Sequence, residues 1–572
     1  MDYKARYDLW LKDPAIDEDF KMEIKNIKDE EELKDRFYQD LSFGTAGLRG
    51  KIGAGSNRMN KYVVARATYA FAKVIASFGE SYKKRGVVIA HDCRIKSDEF
   101  AEICAKVLAA SGVKAYLYPA LRSTPQLSFS VRYLKTAGGI NITASHNPKE
   151  YNGYKVYFEE GSQIKDDIAN LILEEIDKVS TFGEIPMLSD EEAQESDLIE
   201  ILGPDIDDEY IKNVESLALN EDIDKNISIV YTPLNGAGNA PVRRVLKDRG
   251  FYNVHVVKEQ EDPDGTFPTV EYPNPEDLRA FEYSLNLAEK VNADIIIATD
   301  PDSDRLAVMS KDGKEYFAFT GNQTGAVLIE YILSQKKSRN ELPKNGTIVK
   351  SIVTGEMGKT IAASYGVETI DVLTGFKNIC AVNNEYDKTG EKTVLFGYEE
   401  SIGYNAGNFV RDKDAVSSAM LLAEAAGYYK KQGLTLKDAL FNLFKKHGYF
   451  WEDTVSIVLE GIEGKERISR MMKEYRNEYV KTLAGEKLSK IIDYKTSTET
   501  DFKSKDTKNI SIEKTDAVKY IFEDNSWYAL RPSGTEPKIK IYFSAVDKDY
   551  KSVQVKLKAM KDVVITAIKK IE

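Results

Sequence analysis

Apolar and polar positions along this chain fall into two periods, and the order in which the periods alternate predicts the architecture. The first forty or so residues mix charge and apolar side chains at helical spacing, which predicts helix up to about Leu41. Residues 59–79 carry alanine and aromatic residues on one face of a further amphipathic helix. The run Gly86-Val87-Val88-Ile89-Ala90 reads as a short buried strand, 99–111 return to helix, and 113–118 are strand-like. The succession continues with strands at 137–142, 227–231 and 291–299, a helix opened by 233–241, a helix at 325–334, and strands at 347–353 and 393–397. Strands alternating with helices predict parallel or mixed sheets with helices on their faces. After about Lys446 the texture changes to longer charged helices, a polar stretch over 494–509 and the run Trp527-Tyr528-Ala529-Leu530, which together read as a smaller α+β unit.

Bulk properties narrow the class. A chain of 572 residues exceeds one hydrophobic core, and roughly four domains are expected. The net charge of −12 argues against general affinity for nucleic acid, which needs broad positive surface. An anionic small substrate remains compatible, because a few arginines and lysines can dominate a cleft. The three cysteines, Cys93, Cys104 and Cys380, contain no Cys-x-x-Cys and fit a reducing compartment rather than a disulfide framework or a structural zinc site. The N-terminal stretch is too charged for a secretory leader, and no apolar run is long enough to span a bilayer. A cytoplasmic, multidomain protein with no membrane partner is expected.

Several loops carry candidate chemistry. Thr143-Ala144-Ser145-His146-Asn147-Pro148 follows the apolar run 137–142 and precedes a polar turn at 149–155. Ser145 therefore sits just past a buried strand, where ligands gather in α/β sheets. His146 and Lys155 flank it as proton carriers. The strand 291–299 delivers Asp300-Pro301-Asp302-Ser303-Asp304-Arg305, whose three carboxylates alternate onto one face of an extended backbone. Such a cluster needs a cation, and all-oxygen ligation selects a hard ion such as Mg²⁺. An EF-hand is excluded, since Arg305 and Lys311 stand where glycine and glutamate are required. Ser42-Phe43-Gly44-Thr45-Ala46-Gly47-Leu48-Arg49-Gly50 and Arg531-Pro532-Ser533-Gly534-Thr535 each combine glycine with an arginine that can fork onto a phosphate, Lys538 adding charge to the second. Glu399 with Ser401 suits sugar hydroxyls better than Glu399 and Glu400 suit a glycosidase pair. The glycine pattern at 233–241 fails as a dinucleotide fingerprint because Pro241 takes its third glycine, and Thr354–Thr360 fails as a Walker A loop on glycine spacing.

Taken together, these motifs resemble the α-D-phosphohexomutases, with matches spread from Arg49 to Lys538. The serine loop is similar to the family's phosphoserine loop, 300–305 to its magnesium loop, Glu399-Glu400-Ser401 to its sugar loop and 531–536 to its phosphate loop. The stretches 43–50 and 397–404 resemble the long phosphoglucomutase/phosphopentomutase branch. The resemblance implies three related α/β domains with mixed sheets and a smaller C-terminal α+β domain around a central cleft, here placed at 1–205, 206–321, 322–446 and 447–572. It implies a phosphoglucomutase that interconverts glucose 1-phosphate and glucose 6-phosphate through phospho-Ser145 and glucose 1,6-bisphosphate. Ser145, Asp300, Asp302 and Asp304 would hold Mg²⁺, with His146 and Lys155 as general acid/base candidates. Arg49, Arg305, Thr374, Gly375, Glu399, Ser401 and Lys413 would contact substrate, and Arg531, Ser533, Gly534 and Thr535 would clamp its other phosphate. The expected partner is a small sugar phosphate, the chain acting as monomer or dimer. Alternatives are a phosphopentomutase or phosphomannomutase with the same chemistry, a phosphatase or bisphosphate synthase, and a non-catalytic sugar-phosphate binder.

Overall fold

The charged N-terminal stretch does not form one helix. In the computed structural model, which describes residues 2–44, 47–459, 461–477, 479–533 and 538–571, it is broken into Tyr3–Lys12, Glu18–Lys25 and Glu30–Phe37. Asp2 and Asp29 cap the first and third through their side chains, and Pro14, which lacks an amide hydrogen, follows the first. The three helices share a small core of Trp10, Ile24, Phe37 and Tyr62.

The chain forms two compact units. The first comprises Met1–Phe319, Cys380–Gly397 and Ser401–Thr435, and the second comprises Thr320–Ile379, Tyr398–Glu400 and Leu436–Glu572.

Two mixed sheets organise the first unit, as the alternating pattern predicts. The strands of one are, in spatial order, Leu48–Lys51, Tyr151–Phe158, Gly138–Ile142, Val87–His91, Ala115–Leu117 and Ile199–Ile201. The other runs Glu315–Ala318, Leu306–Asp312, Ile295–Thr299, Ile229–Thr232 and Val254–Val256. Both have a parallel centre and an antiparallel edge, and both reverse direction at the same kind of place. Gly138–Ile142 returns through the serine loop as the antiparallel Tyr151–Phe158, and Ile295–Thr299 returns through the aspartate loop as Leu306–Asp312. Strand Gly138–Ile142 is wholly buried, matching its apolar sequence. The polar stretch 149–155, by contrast, is a turn only at its start: from Tyr151 it is a strand paired on both edges. Its polar residues Asn152 and Lys155 are buried because they serve the loops around them.

In the second unit, Gly346–Ser351 and Glu368–Val372 pair in parallel. Its C-terminal part is an eight-stranded antiparallel sheet backed by helices Gly461–Asn477 and Tyr550–Lys569. The polar stretch 494–509 contributes the hairpin Thr498–Asp501 and Asp506–Asn509, whose threonines favour pleated backbone even without an apolar face. No helix among the described residues is long and apolar enough to cross a membrane.

Candidate functional site

Ser145 adopts a left-handed conformation, φ +52°, immediately past its strand. Its amide donates to the Thr143 hydroxyl at 2.8 Å, which pins the turn locally. Its hydroxyl donates to Asp300 Oδ2 at 2.8 Å and lies 3.2 Å from His146 Nδ1. Ser303 in the aspartate loop and Ile402 just after Ser401 take the same left-handed backbone, φ +54° and +53°. A non-glycine residue in that region is uncommon, and for a β-branched one it is a marked strain. Three loops that the sequence singled out thus share one unusual turn.

Asp300, Asp302 and Asp304 are all buried, each offering an oxygen, and these oxygens lie within 4.8 Å of one another. Asp300 Oδ1 accepts the Asp304 and Arg305 amides at 3.1 and 3.0 Å, so the loop folds around its own first carboxylate. Asp302 Oδ1 and Asp304 Oδ1 are buried and accept no hydrogen bond. Orphaned carboxylate oxygens in a buried all-oxygen cluster are what a hard divalent cation satisfies, and the group could hold one.

Two lysines face the same cluster. Lys155, opposite Asn141 on the paired strand, reaches Asp302 Oδ2 at 2.7 Å and Asp304 Oδ2 at 3.5 Å. Lys413 reaches Asp304 Oδ2 at 3.1 Å. Burial pushes Asp300 well above the usual carboxylate range, and Asp302 and Asp304 push it further. Burial acts on Asp302 in the same sense but loses to the Lys155 ammonium, which with the Thr124 hydroxyl holds Asp302 below its ordinary value. Lys155 is raised in turn: burial opposes its charge, yet the two aspartates outweigh that opposition. His146 lies well below the ordinary imidazole value, from burial and then from the charges of Arg305 and Arg49. Both effects favour the neutral form of the imidazole.

Of the remaining expected residues, Arg49 is exposed on strand Leu48–Lys51 and its Nη1 donates to Asn147 Oδ1 at 3.2 Å. Arg305 pairs with Glu276 at 3.4 Å. The segment from Ser401 joins the aspartate loop closely: Leu306 donates to the Ile402 carbonyl at 3.0 Å and Ala415 to the Ser303 carbonyl at 3.2 Å. That path brings Lys413 onto Asp304. The first unit therefore gathers Ser145, His146, Lys155, the three aspartates, Arg49, Arg305 and Lys413.

Thr374, Gly375, Glu399, Arg531 and Ser533 belong to the second unit. Thr374 and Gly375, the latter at φ +101°, precede helix Phe376–Thr389, and the Thr374 carbonyl accepts Asn378 Nδ2 at 3.0 Å. Glu400 is tied back by the Ser351 and Thr354 hydroxyls, each at 3.1 Å, so this carboxylate has a structural anchor of its own. Arg531 is the penultimate residue of strand Trp527–Pro532, where it pairs with Lys540, and its charge acts on the buried Tyr542 hydroxyl against those of Glu400 and Glu399. The Ser533 amide donates to the Lys538 carbonyl at 2.8 Å. Gly534 and Thr535 lie outside the described residues.

Sequence reading missed the residues that hold this machinery in place. Thr124 donates to Asp302 Oδ2 at 2.8 Å and itself accepts Asn141 Nδ2 at 2.8 Å. Buried Asp412 binds Lys413 at 3.1 Å and accepts from the Tyr157 hydroxyl at 2.8 Å. Asn141, a polar residue inside an apolar strand run, is the one signal that could have pointed to such a relay.

Comparison with known proteins agrees with this geometry. Residues 40–182, 208–313 and 320–447 match the models of phosphoglucomutase/phosphomannomutase α/β/α domains I, II and III, and 487–554 match the model of the family's C-terminal domain. A phosphoglucomutase of Staphylococcus epidermidis is 38% identical over 93% of this chain and 95% of its own. One from Staphylococcus aureus is 36% identical over 92% of this chain and 94% of its own. Among solved structures, parafusin, a phosphoglucomutase from Paramecium in an open form, shares the fold with a TM-score of 0.71 at 18% identity, over 93% of this chain and 95% of that one. Four matched domains and relatives this similar over nearly the full length place the chain in the phosphoglucomutase/phosphomannomutase family of the α-D-phosphohexomutase superfamily.

Proposed function

We propose that the protein is a phosphoglucomutase that interconverts glucose 1-phosphate and glucose 6-phosphate through phospho-Ser145 and a glucose 1,6-bisphosphate intermediate. One observation carries the reading: the Ser145 hydroxyl lies 2.8 Å from Asp300 inside a buried carboxylate cluster faced by two lysines. A phosphoryl group on Ser145 would enter a site already arranged for anion and cation together.

Ser145, Asp300, Asp302 and Asp304 would hold Mg²⁺, and two orphaned carboxylate oxygens support that fit. When bound, the ion would neutralise charge on the phosphoryl oxygens. The chain's own groups do the remainder. As the bond from phosphorus to Ser145 Oγ breaks, a bond forms to a sugar hydroxyl oxygen, whose proton must leave, while Oγ must regain one. His146, whose Nδ1 lies 3.2 Å from Oγ, is placed to exchange that proton. Lys155 is bonded to Asp302 and Asp304, which suits it to holding charge, with proton transfer to substrate as its second candidate role. After the bisphosphate reorients, its other phosphoryl group returns to Oγ and the Oγ proton leaves by the same path.

From motif correspondence, Arg49, Arg305, Ser401 and Lys413 are assigned to substrate, as are Thr374, Gly375 and Glu399. Arg531, Ser533, Gly534 and Thr535 are assigned to its non-transferring phosphate. We divide the chain at 1–205, 206–321, 322–446 and 447–572. The free cysteines support a reducing, cytoplasmic setting.

A coupled assay with glucose 1-phosphate, mannose 1-phosphate and ribose 1-phosphate, with and without glucose 1,6-bisphosphate, tests the reading. Turnover of glucose 1-phosphate stimulated by the bisphosphate is expected. Release of inorganic phosphate without stimulation would identify a phosphatase instead, and preferred turnover of either other sugar would reassign the substrate.

A further inference from the structure

Arg94 plays no part in the steps above, yet both terminal nitrogens of its guanidinium are engaged with the serine loop. It lies shortly after strand Val87–His91 and is 2% exposed. Nη2 donates to the carbonyls of Ser145, at 2.5 Å, and Asn147. Nη1 donates to the carbonyls of Pro148 at 2.9 Å and Tyr151 at 3.0 Å. One side chain thus ties down four backbone carbonyls between residues 145 and 151.

The arginine is itself oriented from two sides. Asp92, buried beside it, approaches Nε at 3.3 Å and is anchored by the Ser97 hydroxyl and the Arg94 amide, both at 2.9 Å. The Phe267 ring, 2% exposed, covers the guanidinium with its centroid 5.1 Å away. The loop bearing Phe267 packs without slack, since a Cβ on Gly265 would stand 2.5 Å from the Ile95 nitrogen. Only a planar fork of donors can bond to two carbonyls from each terminal nitrogen; a lysine ammonium has three donors at one point.

Ser145 needs such support. Its left-handed backbone is strained, and strained backbone persists only where its surroundings over-determine it. We propose that Arg94 is a positioning residue for phosphoryl transfer: by holding the Ser145, Asn147, Pro148 and Tyr151 carbonyls it fixes the left-handed turn that sets Ser145 Oγ on Asp300. The proposal rests on the reading of Ser145 as the phosphoryl carrier.

The test compares wild type with Arg94→Lys and Arg94→Gln by steady-state kinetics, by mass spectrometry of Ser145 phosphorylation from glucose 1,6-bisphosphate, and by hydrogen exchange. Both variants should lose kcat roughly 100-fold, the usual cost of displacing a reacting group by about 1 Å, with KM for glucose 1-phosphate unchanged. Phosphorylation of Ser145 should slow in step. Amides of 145–152 should exchange faster while strand Val87–His91 keeps its protection. Unchanged kcat, or a loss explained wholly by the unfolded fraction and spread over the entire domain in exchange, would overturn the proposal. If neither variant folds, Asp92→Asn and Phe267→Leu serve instead. They should lower kcat at constant KM, and wild-type kinetics from both would refute the role. A wild-type protein that accepts no phosphoryl group would refute the proposed function, and the exchange comparison would then decide the clamp by itself.

Discussion

Ser145 and its neighbours show how much a single site owes to residues that do no chemistry. Ser145→Ala should abolish mutase turnover and remove the phosphopeptide seen by mass spectrometry; full turnover by the variant would sink the mechanism. Thr124 is the sharper case. It joins Asn141 to Asp302 through one hydroxyl, while its amide donates to the Asp302 carbonyl at 2.8 Å. Thr124→Val keeps the volume but strands a buried donor and frees Asp302 to turn. The magnesium concentration for half-maximal activity should rise roughly 10–100-fold, the usual range for lost support of a metal ligand. A magnesium titration of initial rate checks it. The serine and the aspartates were legible in the sequence because they interrupt apolar runs with groups that demand a partner. Thr124 and Arg94 were not, because a threonine before a proline and an arginine after a strand have many ordinary uses.

Among the elements, strand Tyr449–Val458 carries a titrating group at a packed junction. Glu452 lies in the second unit, its Oε1 3.5 Å from the Ser544 hydroxyl and close against Gly355. The residue keeps intermediate exposure, but burial of the carboxyl pushes it from 4.5 up to about 7. Between those values the unfolded chain releases a proton that the folded chain keeps, so stability falls as pH rises through this window. Above it the deficit is constant at about 3 kcal/mol. Glu452→Gln should therefore stabilise the protein at pH 8 and leave it nearly unchanged at pH 4.5, as read by thermal unfolding at the two values. The hairpin around the serine loop makes a second, steric prediction. A Cβ on Gly153 would stand 2.4 Å from the Thr143 carbonyl, which opposes it across the pair. Gly153→Ala should cost about 1–3 kcal/mol of stability and lower kcat, since the displaced residue is two before Ser145. Periodicity placed most strands and helices. It misread 149–155 because a strand whose buried side chains serve a site is polar where a core strand is apolar.

In the molecule as a whole, the proposed metal ligands lie entirely in the first unit, although the chain passes between the units at 319/320, 379/380, 397/398, 400/401 and 435/436. Mg²⁺ at about 100 times its dissociation constant should stabilise the state that binds it by about 2.7 kcal/mol. Hydrogen exchange should then slow in the aspartate loop, the serine loop and strand Leu306–Asp312. Chelation by EDTA should reverse this and abolish turnover, and protection confined to the second unit would contradict the metal site. The sequence alone determined the α/β character and the approximate domain count, and it singled out the serine and the aspartate triplet that the structure brings together, because apolar period and uncompensated charge are local properties. Only the tertiary structure decided that the stretch after Ser401 carries Lys413 to Asp304, that Lys155 serves two aspartates, and that Arg94 closes the serine turn. Those are contacts between segments tens to hundreds of residues apart, and no local pattern of side chains encodes which of them will meet.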